Sequence, residues 1–510
     1  MKKIFVSIVT LVSMSALMTI VSCSKENDGD VQFKATMEDC TDIHAKTSLQ
    51  STGDLYWQDG DMVKIYSNTA NDDFAASGDF AASQSGSTNT VLSGNVSLGN
   101  GPYKAIYPAS IAQSATTIML PDAQTNTNGS PDGFPMYAES NNRSLSFKNL
   151  CGLLKIVLPA KANTTLASAK LTVNEMVSGT STVSYSNYSN VASTPTSGGN
   201  TITVQCSQSL ANGGVVWITL PAGSYNGLDL EFTDNKGCVC TLTHKDNASA
   251  VPVNRSQYTT IDLSSTSVTF LPTEGVLNGE FSVSQSKKVR FSKGNLQYNV
   301  TNQTWQFADN QYDYLGSNNN ASSLVDYFGY GNSTTLTFTS NNDSDFQTWN
   351  DWGQNSITNG GGTANIWSTL TSDEWGYLLG RSNGTKYGSA TVDGKKGFVI
   401  LPDNWTTTPA GLSFTSGVSS NNVYSMDEWK DMEDAGAVFL PAAGNRPSST
   451  SGISNVGNHG FYWTSTGYND PTKAYSFKFG GTGSSSYAYN ANYESNRHHG
   501  LSVRLVYEVR

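Results

Sequence analysis

Thiols, imidazoles and a tyrosine-rich tract are the groups in this chain that could do chemistry, and their spacing limits what that chemistry is. Six cysteines and five histidines occur among 510 residues. Cys23 stands apart, at the end of an apolar run. The others, Cys40, Cys151, Cys206, Cys238 and Cys240, form an odd set, so at least one stays unpaired within a monomer. On a strand, Cys238 and Cys240 share one face, where a disulfide across a single residue is strained. Only His244 lies near them as a further metal ligand, so the pair reads as small buried strand residues rather than a zinc site. His459, His498 and His499 sit in no metal-ligand pattern, and the adjacent pair would face opposite sides of a strand. Neither a Gly-x-Ser-x-Gly elbow nor a phosphate loop occurs. Asp427, Glu428, Asp431, Glu433 and Asp434 crowd one helix, which a solvated acidic face explains better than calcium. The inventory names no nucleophile–base pair, so the chain reads as a non-enzyme that needs no cofactor or metal.

Binding is a different matter. Residues 480–500 mix Tyr, Ser, Gly and Asn, the composition of antibody paratopes. Tyrosine offers a large amphipathic surface with only two torsions to freeze, and the small polar residues adapt their hydrogen bonds. The expected contact set is Tyr487, Tyr489, Asn490, Asn492, Tyr493, Asn496, Arg497 and His498. Apolar stretches flank the tract, as rigid scaffolds flank binding loops.

The other elements must carry and position that tract. Lys2 and Lys3, the apolar run Ile4 to Ile20, and Val21-Ser22-Cys23 make a secretory signal over residues 1–22. The small-residue-Cys ending resembles a lipobox, which implies a mature chain starting at an acylated Cys23. Each buried methylene adds about 0.8 kcal/mol, so several acyl chains anchor stably. Residues 23–30, short and acidic, resemble the tag that exports lipoproteins to the cell exterior. The implied location is the outer membrane, lipid-anchored and surface-exposed, with the fimbrium as the alternative. Charged residues are 14% and the formal net charge is −11, which argues against nucleic acid.

Strand and turn patterns fill residues 31–265, with Asp59-Gly60 as a tight-turn signal and Leu153 to Leu158 apolar enough to be buried on both faces. The motifs Phe33-Lys34-Ala35, Leu55-Tyr56-Trp57-Gln58-Asp59-Gly60-Asp61, Phe134-Pro135-Met136-Tyr137-Ala138 and Leu145 to Gly152 resemble fimbrillin-family proteins. That resemblance implies two transthyretin-like β-sandwiches, here 31–160 and 161–265, and fimbrial subunits as partners. In polymerising members a protease cuts after a basic residue and a neighbour's strand fills the groove. This chain has no arginine before Arg143, which departs from that pattern.

Residues 266–277 read as a Ser/Thr/Pro/Gly linker. Beyond it lie eight of the ten tryptophans. Thr371-Ser372-Asp373-Glu374 and Ser425-Met426-Asp427-Glu428 are capping boxes that predict two short helices among strands, with Gly436 as the second helix's stop. Leu370 to Trp375, Phe439 to Gly444, Gly460 to Thr466 and Gly500 to Val506 resemble the C-type lectin-like fold, in the branch shared with formylglycine-generating enzymes. Those enzymes need paired cysteines, and no cysteine follows Cys240. Some lectin-like relatives are diversified by retroelements at Asn, Tyr, Ser, Asp and His positions, a composition Tyr487 to His499 shares. The expected fold class is mainly β and multidomain: two sandwiches, then an α+β C-type lectin-like domain over 278–510. The expected function is a surface adhesin or receptor for an extracellular glycan or protein, with a strand-exchanging pilus subunit as the alternative.

Overall fold

The computed structural model describes residues 31–38, 56–69, 74–127, 130–186, 190–244, 250–316, 324–333, 340–380, 386–417, 421–448, 452–480 and 488–509. The signal segment 1–22, Cys23 and its acidic tether, Cys40 and Tyr487 lie outside them. The chain is mainly β and multidomain, and among the described residues it has two short α-helices, both in the last third.

In the first unit the sheet closes on itself. Its order runs Val31–Met37, Ser144–Asn149, Met136–Ser140, Tyr103–Tyr107, Met62–Ser67, Ala76–Ala82, Asn89–Gly94 and back to Val31–Met37. The first strand alternates, turning Val31, Phe33, Ala35 and Met37 inward while Gln32, Lys34 and Thr36 face outward. It lies parallel to Ser144–Asn149 and antiparallel to Asn89–Gly94, so it is the stave that closes the barrel. Trp57 fills the interior, edge-on to Tyr107 at 5.4 Å and to Phe147 at 5.4 Å. Just past the closing strand, Glu38 receives Arg255 Nη1 at 2.6 Å and Nη2 at 3.2 Å, the Asn149 N–H at 3.2 Å and the Lys148 ammonium at 3.4 Å. A forked arginine on a carboxylate is the strong form of such a contact.

Strand pairing then runs across the boundary expected near residue 160. Cys151–Leu158 was assigned to the first sandwich, but it pairs with Gly214–Pro221 and, in parallel, with Tyr258–Asp262. Its apolar residues on both faces demand a central place in a covered sheet, and that place lies among later strands. Thr117–Leu120 likewise joins Gly179–Ser186, and Ala123–Thr127 joins Thr201–Ser209. Cys151, Cys206 and Cys240 are free, and burial pushes the Cys151 thiol up to about 12, the Cys206 thiol to about 11 and the Cys240 thiol above its ordinary value. These three thus act as packing groups rather than thiolates.

In the C-terminal unit, Lys288–Phe291 pairs with Val506–Glu508, which brings the unit's start and end together. Both capping boxes form as read from sequence. Thr371 and Glu374 cap the helix Ser372–Leu379, and Ser425 and Glu428 cap the helix Met426–Asp434. Gly436 follows the second helix at φ 100°, a conformation that favours glycine. On that acidic helix Glu428 serves the cap, Asp434 pairs with Lys430, and Glu433 accepts from Gln311.

The expected linker is a packed seam instead. Val268 and Phe270 are 3% and 2% exposed, and Val239 and Leu271 exchange backbone hydrogen bonds of 2.7 and 2.9 Å. The Tyr507 hydroxyl donates to the Phe270 carbonyl at 2.7 Å. Two alternating apolar residues among polar ones were enough to bury the segment, and composition alone concealed them.

Two measurements check these points. Proteinase K should leave Ser264 to Gly279 intact under native conditions, since protected backbone is a poor substrate; first cleavage there would show an open connector. Glu38→Gln should cost about 1.5–3 kcal/mol of stability at pH 7 by urea unfolding. Burial alone would raise the Glu38 carboxyl, but the Arg255 bonds and charge, with Asn149 and Lys148, hold it below its ordinary 4.5. A depressed carboxyl contributes stability above its unfolded pKa and loses it as pH falls through the folded one. The gap between the two proteins should therefore close on acidification below about pH 4.5.

Candidate ligand-binding cleft

Three antiparallel strands build the region that carries the tyrosine-rich tract: His459–Gly467, Lys473–Gly480 and Ala488–Asn496. Alternation sorts the middle strand. Phe477 and Phe479 pack on the helix side, where Phe477 stacks on Trp375 at 4.5 Å and Phe479 on Phe398 at 5.2 Å. Ser476 and Lys478 take the other face. The tract itself is therefore a strand from Ala488 onward, the outer one of its sheet, and not a long loop.

A bulge in that strand decides where its tyrosines go. Tyr489 lies opposite Phe479, but Tyr493 lies opposite Ser476, with the register shifting between. Four residues apart on a regular strand, the two rings would share a face; the extra residue puts them on opposite faces. Tyr489 joins the helix side, its ring 4.9 Å from Tyr387 and its hydroxyl accepting from the Tyr387 hydroxyl at 2.8 Å. Tyr493 sits beside Phe461 at 5.9 Å, with the Lys478 ammonium 4.2 Å from its ring centre.

On Tyr493's face the sheet meets Asn445 and Asn455, leaving a cleft of about 220 Å³. Its lining includes Asn445, Asn455, His459, Phe461, Lys478, Tyr493, Asn496 and His499. Two residues of the expected contact set, Tyr493 and Asn496, meet here. Asn490 and Asn492 are exposed on the outer strand, and the Asn490 side chain accepts from the Asn492 N–H at 2.8 Å. His498 is turned to Asp343, its Nδ1 2.8 Å from the carboxylate. Arg497 requires a correction. Expected as a contact residue, it is 8% exposed, with Nε donating to the Lys473 carbonyl at 2.9 Å and Nη1 to the Gln347 carbonyl at 2.9 Å. Its guanidinium also covers the Tyr330 ring at 4.9 Å. A buried cation needs such partners, and the carbonyls of Lys473 and Gln347 supply them.

The cleft's electrostatics are simple. Burial and the nearby Lys478 charge hold the His459 imidazole below its ordinary value, and its Nδ1 is buried without a hydrogen-bond partner. Burial, His498 and Arg446 take His499 down to about 4, against the opposing pull of Asp343. Both rings are therefore neutral at pH 7, and Lys478 supplies the lining's positive charge. Glu494, which also lines the cleft, is held below its usual range by Lys473, at 2.9 Å, and by Tyr468. Amide donors, neutral imidazoles, one ammonium and two ring faces suit recognition of a small polar ligand. Lys478 and Phe461 were missed from sequence; the trace they leave is a lysine set within the aromatic alternation Tyr475-Ser476-Phe477-Lys478-Phe479.

Arg497→Ala should lower stability by about 2–3 kcal/mol, because it strands buried carbonyls as well as removing a charged donor. Tyr489→Phe should cost less than about 1 kcal/mol, since only one hydroxyl bond is lost. Urea unfolding of the two variants checks the contrast; equal losses would contradict the placement of Arg497.

A family profile described as a domain of unknown function, DUF8237, matches residues 415–506, which contain every lining residue of this cleft. No curated protein matches the chain. Among solved structures, it is similar to a candidate cell adhesion protein from Bacteroides ovatus, at 12% identity and TM-score 0.27, over 47% of this chain and 94% of that one. A fimbrial assembly protein from Parabacteroides distasonis aligns at 10% identity and TM-score 0.25, over 55% of this chain and 99% of that one. A fimbrial protein from Bacteroides ovatus aligns at 10% identity and TM-score 0.23, over 93% and 98% respectively. Overlaps of this size assign neither fold nor role to the chain.

Proposed function

We propose that the chain is a surface adhesin or receptor, anchored by lipid on Cys23, in which the β units over 31–265 form a stalk and residues 278–510 form a C-type lectin-like, ligand-binding tip. The observation that carries this reading is the cleft on the terminal sheet. There an exposed outer strand with a paratope-like composition brings Tyr493 and Asn496 beside Phe461, Lys478 and His459. The scaffold beneath is rigid by construction: stacked aromatics on one face and a buried arginine at the strand's end. The packed seam around Phe270 favours the same reading, because it couples tip to stalk and lets a load on the tip reach the anchor.

A second reading, a pilus subunit that assembles by strand exchange, has its own support. The closing stave Val31–Met37 is the first described strand, and its removal would leave a groove between Asn89–Gly94 and Ser144–Asn149. The Glu38–Arg255 contact just beyond it would have to break.

One experiment tests the adhesin reading and separates it from the second. Cells displaying the chain are assayed for attachment to glycan- and protein-coated surfaces, and the N-terminus of the surface protein is sequenced. Tyr493→Ala with Asn496→Ala should cut affinity at least about thirtyfold, the effect of losing a hot-spot side chain, with the melting temperature nearly kept. The N-terminus should be blocked at Cys23. Unchanged attachment, or a free N-terminus beyond Met37 in polymeric material, would sink the adhesin reading in favour of the pilus.

A further inference from the structure

We propose that the cleft selects an anionic saccharide, with Lys478 binding a carboxylate of the sugar and the ring of Tyr493 covering the sugar's apolar face. The inference rests on the adhesin reading above and adds the ligand's chemical class.

Among the described residues no carboxylate lies within 4.0 Å of the Lys478 ammonium, although the neighbouring strand carries Glu494. Glu494 is taken by Lys473 at 2.9 Å, and Asp343 by His498 at 2.8 Å. Lys478 instead rests against two rings, 4.2 Å from the centre of Tyr493 and 5.3 Å from that of Phe461. Those contacts fix the flexible stem while leaving the ammonium without an anion. Behind the cleft the Arg446 guanidinium, 2% exposed, adds to the positive potential felt at His499.

On the same face the Nδ1 of His459 is buried without a hydrogen-bond partner. A buried polar atom without a partner carries a desolvation cost that an incoming ligand group, or a water it holds, can remove. At about 220 Å³ the cleft is smaller than the roughly 300–1,000 Å³ of drug-sized pockets, so it suits one sugar unit at the end of a larger ligand. A single ammonium with no exposed guanidinium fork matches a singly charged carboxylate better than a phosphate dianion.

The probes are glucuronate, glucose and glucose 6-phosphate, titrated by saturation-transfer NMR and calorimetry into the full chain made soluble by Cys23→Ser. Glucuronate should bind about tenfold more tightly than glucose at pH 7, the gain of one charge-assisted contact. That preference should shrink as salt is raised. Lys478→Gln should abolish the preference, and Lys478→Arg should restore most of it, which separates lost charge from lost folding. Equal binding of glucuronate and glucose, or a preference that survives Lys478→Gln, overturns the inference. Tightest binding by glucose 6-phosphate overturns the carboxylate assignment. If none of the three sugars binds while Tyr493→Ala still weakens cell attachment, the acidic-sugar inference fails and the adhesin reading stands.

Discussion

The C-terminal unit is held by a cation that has no water to dissolve in. Arg504 is 2% exposed, and its guanidinium gives hydrogen bonds of 3.1 Å to the Asn295 side chain and to the carbonyls of Ser292, Gln311 and Phe439. Burial pulls it down to about 10, so at neutral pH it keeps its charge and all its donors. An arginine in that position is tolerable only when its donors are met, so it fixes the segments that meet it: the unit's beginning, the turn that follows Thr304–Phe307, and the strand after the second helix. Asn295 extends the network to the Tyr462 hydroxyl, which in turn donates to the Pro441 carbonyl at 2.9 Å. The terminal sheet thereby acquires a fixed position relative to a core it does not share strands with.

From that constraint the cleft follows. Tyr462 is one of the alternating residues of His459–Gly467, so fastening it also fixes Phe461, which points to the opposite face, and His459 beside it. The middle strand adds Lys478 by the same alternation, and the bulge in the outer strand adds Tyr493. Each contributor to the cleft is placed by backbone geometry fastened from the other side of the sheet. This division of labour, aromatic stacking on one face and polar chemistry on the other, lets the exposed side chains vary with little cost to folding.

Part of this was legible in the sequence. The two helices could be read because their capping boxes are local, needing only Thr371 with Glu374 and Ser425 with Glu428. Mainly β architecture followed from alternation in segments such as Val31–Met37, where each burial choice repeats every second residue. The departures share a physical cause: they depend on partners distant along the chain. Arg497 looked like an exposed contact because nothing near it announces the carbonyls of Phe346 and Gln347, 150 residues away, that bury it. Cys151–Leu158 was placed with the strands before it, but a strand apolar on both faces goes where it finds two neighbours. The seam at Val268 and Phe270 was masked by composition. His459 and Lys478 had no motif at all; only the pairing of three strands makes them neighbours.

The bulge shows how far pattern reading could reach for the site itself. Composition pointed to the segment whose Tyr493 and Asn496 line the cleft. Period-two alternation, applied without the bulge, would set Tyr489 and Tyr493 on one binding face. The shift between Asn490 and Tyr493 instead commits Tyr489 to a contact with Tyr387 on the scaffold side. One inserted residue thus converts a run of equivalent-looking tyrosines into one that supports the sheet and one that meets the cleft. A bulge on an outer strand also twists the edge and interrupts its regular ladder, which discourages pairing with a foreign strand. The same irregularity that aims Tyr493 into the cleft therefore favours recognition by side chains over recognition by strand addition.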